Sequence, residues 1–331
     1  MKKVATVLSV LLSALFVWWV LSFSASNYVR DTMAPTAFRN VTIASTDVHR
    51  LASFYQVVFN GEPVPVSWES DSSTDEGIAL RTPGYGGAGP TLTFIKASGV
   101  AAELPRASDL GYAHLCFESE DVRGVISRLV SAGGKVTSIF EDNQKSPVLY
   151  AKDPDGNTLE VHIPLPDPLT PRTIYRSVDS LIRTLLKLSP SQEDLRFLHV
   201  NQNSSDWSKV ADFYRTVFDL QTVGPQRNYE GKFITELTGI QGVKIHGRHI
   251  QMPGYSAGGP TLEAFTYNQA PRRGALNFLD AGVVAIGFDT KDLNAVLHSI
   301  TIAGGIVVNS DSHSAVVRDP FGNLIQFHKL E

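Results

Sequence analysis

The chain of 331 residues contains a single cysteine, Cys116. That excludes an intrachain disulfide and any zinc cluster built from several thiolates, and it is compatible with an oxidising compartment without demonstrating one. A basic excess is missing too: 29 Lys and Arg stand against 33 Asp and Glu, a formal charge of -4, and the charges are scattered. There is no electrostatic footprint for nucleic acid or for an anionic membrane surface, so nucleic acid is not an expected partner. With 43% hydrophobic and 19% charged residues the composition is that of an ordinary globular protein, and the length suits about two domains, each able to bury its own core.

Charge is also absent from one long run. Lys2 and Lys3 precede a stretch from Val4 to Val29 without a charged residue, and Arg30 ends it. The apolar part, Val4 to Phe23, is long enough for a bilayer span of roughly 20 helical residues, and the two lysines would keep its N-terminus in the cytoplasm. Small residues at Ser22, Ser24 and Ser26 equally suit a signal-peptidase site. Residues 1–32 are therefore read as a cleaved export signal or a membrane anchor. Either places the folded part outside the cytoplasm, periplasmic or secreted, or held at the membrane by the N-terminal segment.

Four helical patterns follow, each opened by an Asp at the N-cap position. Asp47 leads into Val48, Leu51, Tyr55 and Val58; Asp121 into Val122, Val125 and Leu129; Asp206 into Trp207, Val210, Tyr214 and Val217; Asp292 into Leu293, Val296 and Ile300. The second and fourth stop at Gly133-Gly134 and Gly304-Gly305. Strand-like runs bounded by Gly and Pro lie between them, giving a unit of one strand, one helix and several strands.

That unit is part of an internal repeat. Ala52-Ser-Phe-Tyr55 answers to Ala211-Asp-Phe-Tyr214, Gly89-Pro-Thr-Leu92 to Gly259-Pro-Thr-Leu262, and Ala132-Gly-Gly134 to Ala303-Gly-Gly305. Asp153-Pro-Asp-Gly-Asn157 returns as Asp319-Pro-Phe-Gly-Asn323, each feeding a short strand that ends in His162 or His328. One difference matters for chemistry: Glu160 of the first copy is Gln326 in the second. The halves run over residues 36–164 and 195–331, joined by a linker at 165–194 whose middle, Val178 to Leu188, has amphipathic helical spacing.

A first strand, an Asp at a helix start, Phe-Tyr within that helix and Asp-Pro-x-Gly-Asn before a last strand make a specific combination. Over nearly everything after residue 35 the chain resembles the vicinal oxygen chelate superfamily, the glyoxalase and bleomycin-resistance fold. The resemblance implies an α+β protein of four βαβββ modules in two tandem domains, preceded by the hydrophobic signal or anchor helix. Paired modules of this family curl into a cup. In its glyoxalase I-like members a metal sits there, held by one residue from the first strand and one from the last strand of each module.

Transferred residue by residue, the first-strand places are Asn40, His114, His199 and Ala285, and the last-strand places are Thr93, Glu160, Glu263 and Gln326. Only the second and third modules keep a His and a Glu. In the glyoxalase-like arrangement these two modules share one cup, so His114, Glu160, His199 and Glu263 would meet. Asn40, Thr93, Ala285 and Gln326 would line the other as a vestigial cup. Strand alternation agrees: Leu115, Leu159, Val161, Leu198, Val200, Leu262 and Ala264 flank the candidates and would face the helices. Two imidazoles and two carboxylates suit one divalent ion, with zinc, nickel, iron(II) or manganese admissible.

The implied activity is lyase, isomerase or epimerase chemistry on a small molecule with vicinal oxygens, the metal stabilising the enediolate left by proton removal. Glu160 is the expected base, with Glu263 second. A ring-cleaving dioxygenase is the enzymatic alternative, but it would draw two His and one Glu from one half, and neither half offers them. A non-catalytic binder of the bleomycin-resistance type is the alternative of another class, with Trp68, Tyr85 and Tyr255 as aromatic surface. Because the duplication supplies both sides of a cup, a monomer would suffice. His162 and His328, matched in both halves, read as structural, and His246 and His249 read as the solvated face of a polar strand, with contact to substrate as the alternative. Gly84-Tyr-Gly86-Gly87-Ala-Gly89 and Gly254-Tyr-Ser256-Ala-Gly258 fit the dinucleotide fingerprint and the nucleophile elbow, but both lead into strands where those chemistries need a helix.

Overall fold

A computed structural model describes residues 2–21, 30–31, 33–66, 77–84, 87–99, 105–167, 169–190, 194–256 and 258–330. The N-terminal helix α1 (Lys2–Leu21) precedes four modules. The first holds β1 (Thr36–Ser45), α2 (Val48–Phe59), β2 (Glu62–Val64), β3 (Ile78–Gly84) and β4 (Gly87–Lys96). The second holds β5 (Gly111–Ser119), α3 (Val122–Ser131), β6 (Lys135–Val136), β7 (Val148–Lys152) and β8 (Thr158–His162). After α4 (Pro171–Leu185) the third contains β9 (Leu195–Asn203), α5 (Trp207–Phe218), β10 (Thr222–Tyr229), α6 (Lys232–Thr238), β11 (Ile245–Gln251) and β12 (Thr261–Tyr267). The fourth contains β13 (Gly282–Thr290), α7 (Leu293–Ile302), β14 (Ile306–Ser310), β15 (Ser314–Arg318) and β16 (Leu324–Lys329).

The four Asp N-caps form as the sequence implies. Asp47, Asp121, Asp206 and Asp292 accept from the backbone N–H of Arg50, Gly124, Ser208 and Ala295. α2 and α5 end on Asn60 and Asp219 in the left-handed region, at φ 53° and 54°. Linker helix α4 begins well before Val178, because Thr170 makes a capping box with Thr173 and Pro171 sits at the first turn, where its missing N–H costs nothing. α6 was not foreseen; its only signal is the short spacing Phe233, Ile234, Leu237.

The strands form two sheets of eight. One runs β2-β3-β4-β1-β13-β16-β15-β14 and the other β6-β7-β8-β5-β9-β12-β11-β10. Each sheet is thus made of modules from different halves, the first with the fourth and the second with the third. The central seams are antiparallel, β1 on β13 and β5 on β9, while each module closes a parallel pair between its first and last strands. One apolar core joins the sheets and takes in the inner faces of α2, α3, α5 and α7; the ring of Phe59 on α2 stacks on Phe117 of β5 at 3.8 Å between centroids.

The repeated Asp-Pro-x-Gly-Asn segments explain why they accompany the Phe-Tyr helices. In the first half, buried Asp153 accepts from the backbone N–H of Asp155 and Asn157, the Asn157 side chain, and the Tyr55 hydroxyl at 3.1 Å. In the second, Asp319 accepts from Phe321, Asn323 and the Gln202 amide, and Tyr214 reaches Gln202 instead at 3.3 Å. Each turn is therefore locked to a helix of the preceding module.

Among the described residues no helix is long and apolar enough to cross a membrane. α1 nevertheless exposes Val4, Leu8, Leu12 and Phe16, and it lies beside α4.

Candidate metal centre

Four strands of the second sheet bring His114 (β5), Glu160 (β8), His199 (β9) and Glu263 (β12) to one point, their donor atoms all within 4.8 Å of one another. His114 Nε2 lies 3.2 Å from His199 Nε2, Glu160 Oε2 and Glu263 Oε2; His199 Nε2 lies 3.4 Å from Glu160 Oε2 and 3.5 Å from Glu263 Oε2. Strand register produces the convergence. Cys116 is paired with both Glu160 and His199, and Asn201 with both His114 and Glu263, so the four candidates alternate about the central seam.

Simple alternation does not deliver this arrangement, and here the sequence reading needs correction. Along β9 the core position is taken by Phe197, fully buried, whereas Leu198 is only half-buried at a bulge between the Phe117–Phe197 and Cys116–His199 pairs. The extra residue turns His199 into the cup, as bulges beside functional sites do. β1 repeats the device: Phe38 packs in the core and Arg39 is skipped before Asn40. Leu115, Leu159, Val161, Val200, Leu262 and Ala264 face the helices as expected.

The charges are unbalanced. Burial pulls the His114 imidazole down, but hydrogen bonds to Glu160 and Glu263 and the charge of both overcome it and hold it at about 9. Burial keeps His199 below its ordinary value despite the pull of the same carboxylates. Burial pushes both carboxyls up, yet the hydrogen bonds from His114 and His199 hold Glu160 well below the usual range; the charge of His199 and hydrogen bonds from His114 and His249 do so for Glu263. Two carboxylates thus face one imidazolium in a buried place.

A divalent cation displacing that proton would neutralise the set. Separations of 3.2–3.5 Å are those of neighbouring ligands around one ion, with bonds of about 2.1 Å. The Nδ1 atoms of His114 and His199 are buried without a partner among the described residues. Each imidazole aims its Nε2 at the two carboxylates in the cup. On spacing, charge and aim the residues fit a divalent metal.

The two carboxylates differ in their surroundings. Glu263 is clamped: Asn201 Nδ2 donates to Oε2 at 3.1 Å, and Oε1 lies 3.3 Å from His249 Nε2, whose Nδ1 meets Thr261 Oγ1 at 2.9 Å. Glu160, with 13% of its side chain exposed against 7% for Glu263, engages only the two imidazoles among the described residues. His249 therefore belongs to the centre, whereas His246 points to the opposite, exposed face of β11 and bonds Asn228. Gly247 lies between them because a Cβ there would stand 2.0 Å from the carbonyl oxygen of Ala264. Tyr150, its ring 5.3 Å from that of His114, belongs to a buried apolar cluster with Ile234 and Leu237 of α6, Val243, Ile245 and Phe265.

Among the described residues the other sheet assembles no comparable set. Thr42, not named by the sequence reading, donates to Gln326 Oε1 at 2.8 Å and accepts from Asn40 Nδ2 at 3.1 Å; Thr93 is buried nearby and Ala285 joins an apolar cluster. His162 is buried against the carbonyl of Ile163, and His328 pairs with Asp289. Tyr255 is buried in the main core and offers no aromatic surface, while Trp68 and Tyr85 lie outside the described residues. β3 and β4 form a hairpin pairing Gly84 with Gly87, and the segment after Ser256 enters β12, so neither glycine motif opens a helix. A surface groove of about 450 Å³ between α2 and α3 is lined by Arg50, Phe54 and Arg128 and lies away from this centre.

Comparison with known proteins agrees with this architecture. Residues 40–162 match the family described as glyoxalase-like domain, and residues 196–327 match the Glyoxalase/Bleomycin resistance protein/Dioxygenase superfamily. Together these cover well over half of the chain, which belongs to this vicinal oxygen chelate superfamily as a tandem two-domain member. No curated protein matches. Among solved structures, a point variant of glyoxalase I from Zea mays superposes with a TM-score of 0.60 at 13% identity, covering 96% of each chain. Unaltered glyoxalase I from Zea mays gives 0.57 at 14% identity, over 89% of this chain and 92% of that one. A Bacillus subtilis protein whose name places it among the dioxygenases gives 0.52 at 15% identity, over 91% of this chain and 86% of that one. At these identities the likeness is one of fold.

Proposed function

We propose that the protein is a metal-dependent enzyme of the glyoxalase I type, a lyase or isomerase acting on a small molecule with two vicinal oxygens, at one centre shared by its two halves. The observation that carries this reading is the convergence of His114, Glu160, His199 and Glu263 from both halves within 4.8 Å. A bound divalent ion, zinc, nickel, iron(II) or manganese, would supply Lewis acidity toward adjacent substrate oxygens.

The protein's own part follows from the unequal carboxylates. Glu263, held by Asn201 and His249, stays a fixed ligand. Glu160, bonded among the described residues only on its Oε2 and the more exposed, can turn toward a substrate carbon, take its proton and return it at the neighbouring carbon. The buried apolar cluster of Ile234, Leu237, Ile245 and Phe265, which reaches His114 through Tyr150, supports exclusion of water from that exchange and a substrate with an apolar part. The uncharged run after Lys2 and Lys3 supports a place outside the cytoplasm for the folded part.

The test is a screen of 2-oxoaldehyde adducts, 2-hydroxy ketones and vicinal diol acids, monitored by exchange of the carbon-bound hydrogen in deuterated water. Exchange by wild type that disappears in Glu160→Gln while bound metal persists is expected. Exchange undiminished in Glu160→Gln overturns the assigned base, and oxygen consumption with ring cleavage overturns the reaction class.

A further inference from the structure

α4 is amphipathic the wrong way round for a linker helix. Its small and polar residues Thr173, Arg176, Ser180 and Thr184 are buried against the protein, while Ile174, Tyr175, Val178, Leu181, Ile182 and Leu185 form the outer face, 37–64% exposed. A helix on a globular protein ordinarily does the reverse. The orientation is enforced: Arg176 Nε bonds Glu120 Oε1 at 2.5 Å and its Nη2 lies 3.4 Å from Asp194 Oδ2, with Arg176 and Glu120 both buried. Rolling α4 to hide its leucines would pull a buried guanidinium away from the Glu120 carboxylate. Leu169 before the helix and Leu186 after it lengthen the exposed strip.

We infer that this outward face is a membrane-contact surface, on which the folded part lies against a lipid bilayer. The occupant is identified by what stands beside α4. The apolar helix α1 lies next to it and exposes Val4, Leu8, Leu12 and Phe16, and only residues 22–29 separate it from the Arg30–Tyr255 bridge that fixes the chain to the second half. Two neighbouring apolar helices, both uncovered, are satisfied together by one lipid surface, whereas a protein partner on α4 would leave α1 in water. Over its 15 residues, about 22 Å, α4 has the form of a helix lying in the plane of the interface. Its cationic neighbours Arg183 and Lys187 are already paired, with Asp179 and Asp142. Attachment therefore rests on apolar burial and persists in high salt and on zwitterionic lipid. This surface is independent of the chemistry in the cup.

The test uses the full chain on vesicles of phosphatidylcholine and phosphatidylethanolamine, with nitroxide labels at Val178→Cys, at Leu185→Cys and, far along the chain on β14, at the exposed Val308→Cys; buried Cys116 stays unlabelled. Collision rates with oxygen and with a water-soluble nickel chelate are read by electron paramagnetic resonance. The expected result is several-fold protection from nickel with raised oxygen contact at positions 178 and 185, unchanged by salt, and free nickel access at 308. Equal nickel access at all three sites overturns the proposal. Protection accompanied by dipolar broadening between labels also overturns it, by showing a second copy on the face.

Discussion

Glu160 and Glu263 differ by a few contacts, and those contacts assign their roles. A carboxylate held on both oxygens, as Glu263 is by Asn201 and His249, stays where it is; one bonded only to the imidazoles is free to move. Glu160→Gln is therefore expected to keep one metal per chain and lose about 10²–10⁴-fold in proton exchange, whereas Glu263→Gln lowers metal affinity as well. His249→Ala removes the outer support of Glu263, and a fall in metal affinity of about 10–100-fold is expected. The cobalt-substituted variant should also show a shifted visible spectrum, and an unshifted spectrum with unchanged affinity would mean that His249 only fills space. None of His249's role was legible in the sequence. Its contact with Glu263 depends on the pairing of β11 with β12, and nothing local distinguishes it from His246 on the opposite face of the same strand.

Turns, bulges and close strand contacts carry the next set of consequences. The Asp-Pro-x-Gly-Asn turns were readable because every interaction within them is local. Burial pushes Asp153 from 3.8 to about 6 against the hydrogen bonds of Asn157. The folded protein then binds that proton more tightly than the unfolded chain, so the contribution is full below pH 3.8 and is lost as pH rises through 6. The difference amounts to about 3 kcal/mol. Urea unfolding of wild type and Asp153→Asn at pH 4 and pH 7 should show the variant gaining relative stability by that order at the higher pH; a gap independent of pH would count against the assignment. Gly247→Ala forces β11 away from the Ala264 carbonyl, and a loss of about 1–3 kcal/mol is expected in the same measurement. The bulge at Leu198 was not readable, since an apolar residue beside His199 satisfies strand alternation equally well and only the pairing with β5 shows it skipped.

At the scale of the whole molecule, the exchange of modules between the two halves decides where the metal-type residues meet. Each sheet joins modules from different halves, so the His and Glu of the second and third fall in one cup, while the first and fourth leave the other without such a pair. This pairing could be anticipated because the sequence resembles a superfamily whose glyoxalase I-like members build each cup from modules of different halves. The outward apolar face of α4 could not: helical spacing shows that a stripe exists but not which side the protein covers, and the deciding residue, Arg176, finds Glu120 and Asp194 only in the folded chain. The most direct measurement is the divalent metal content per chain by elemental analysis of wild type, His114→Ala and His199→Ala. One tightly held ion per wild-type chain, lost from both variants, is the predicted result, because each half supplies one of the two histidines. Absence of metal from wild type after loading, or metal retained in both variants, would contradict a centre shared by the two halves.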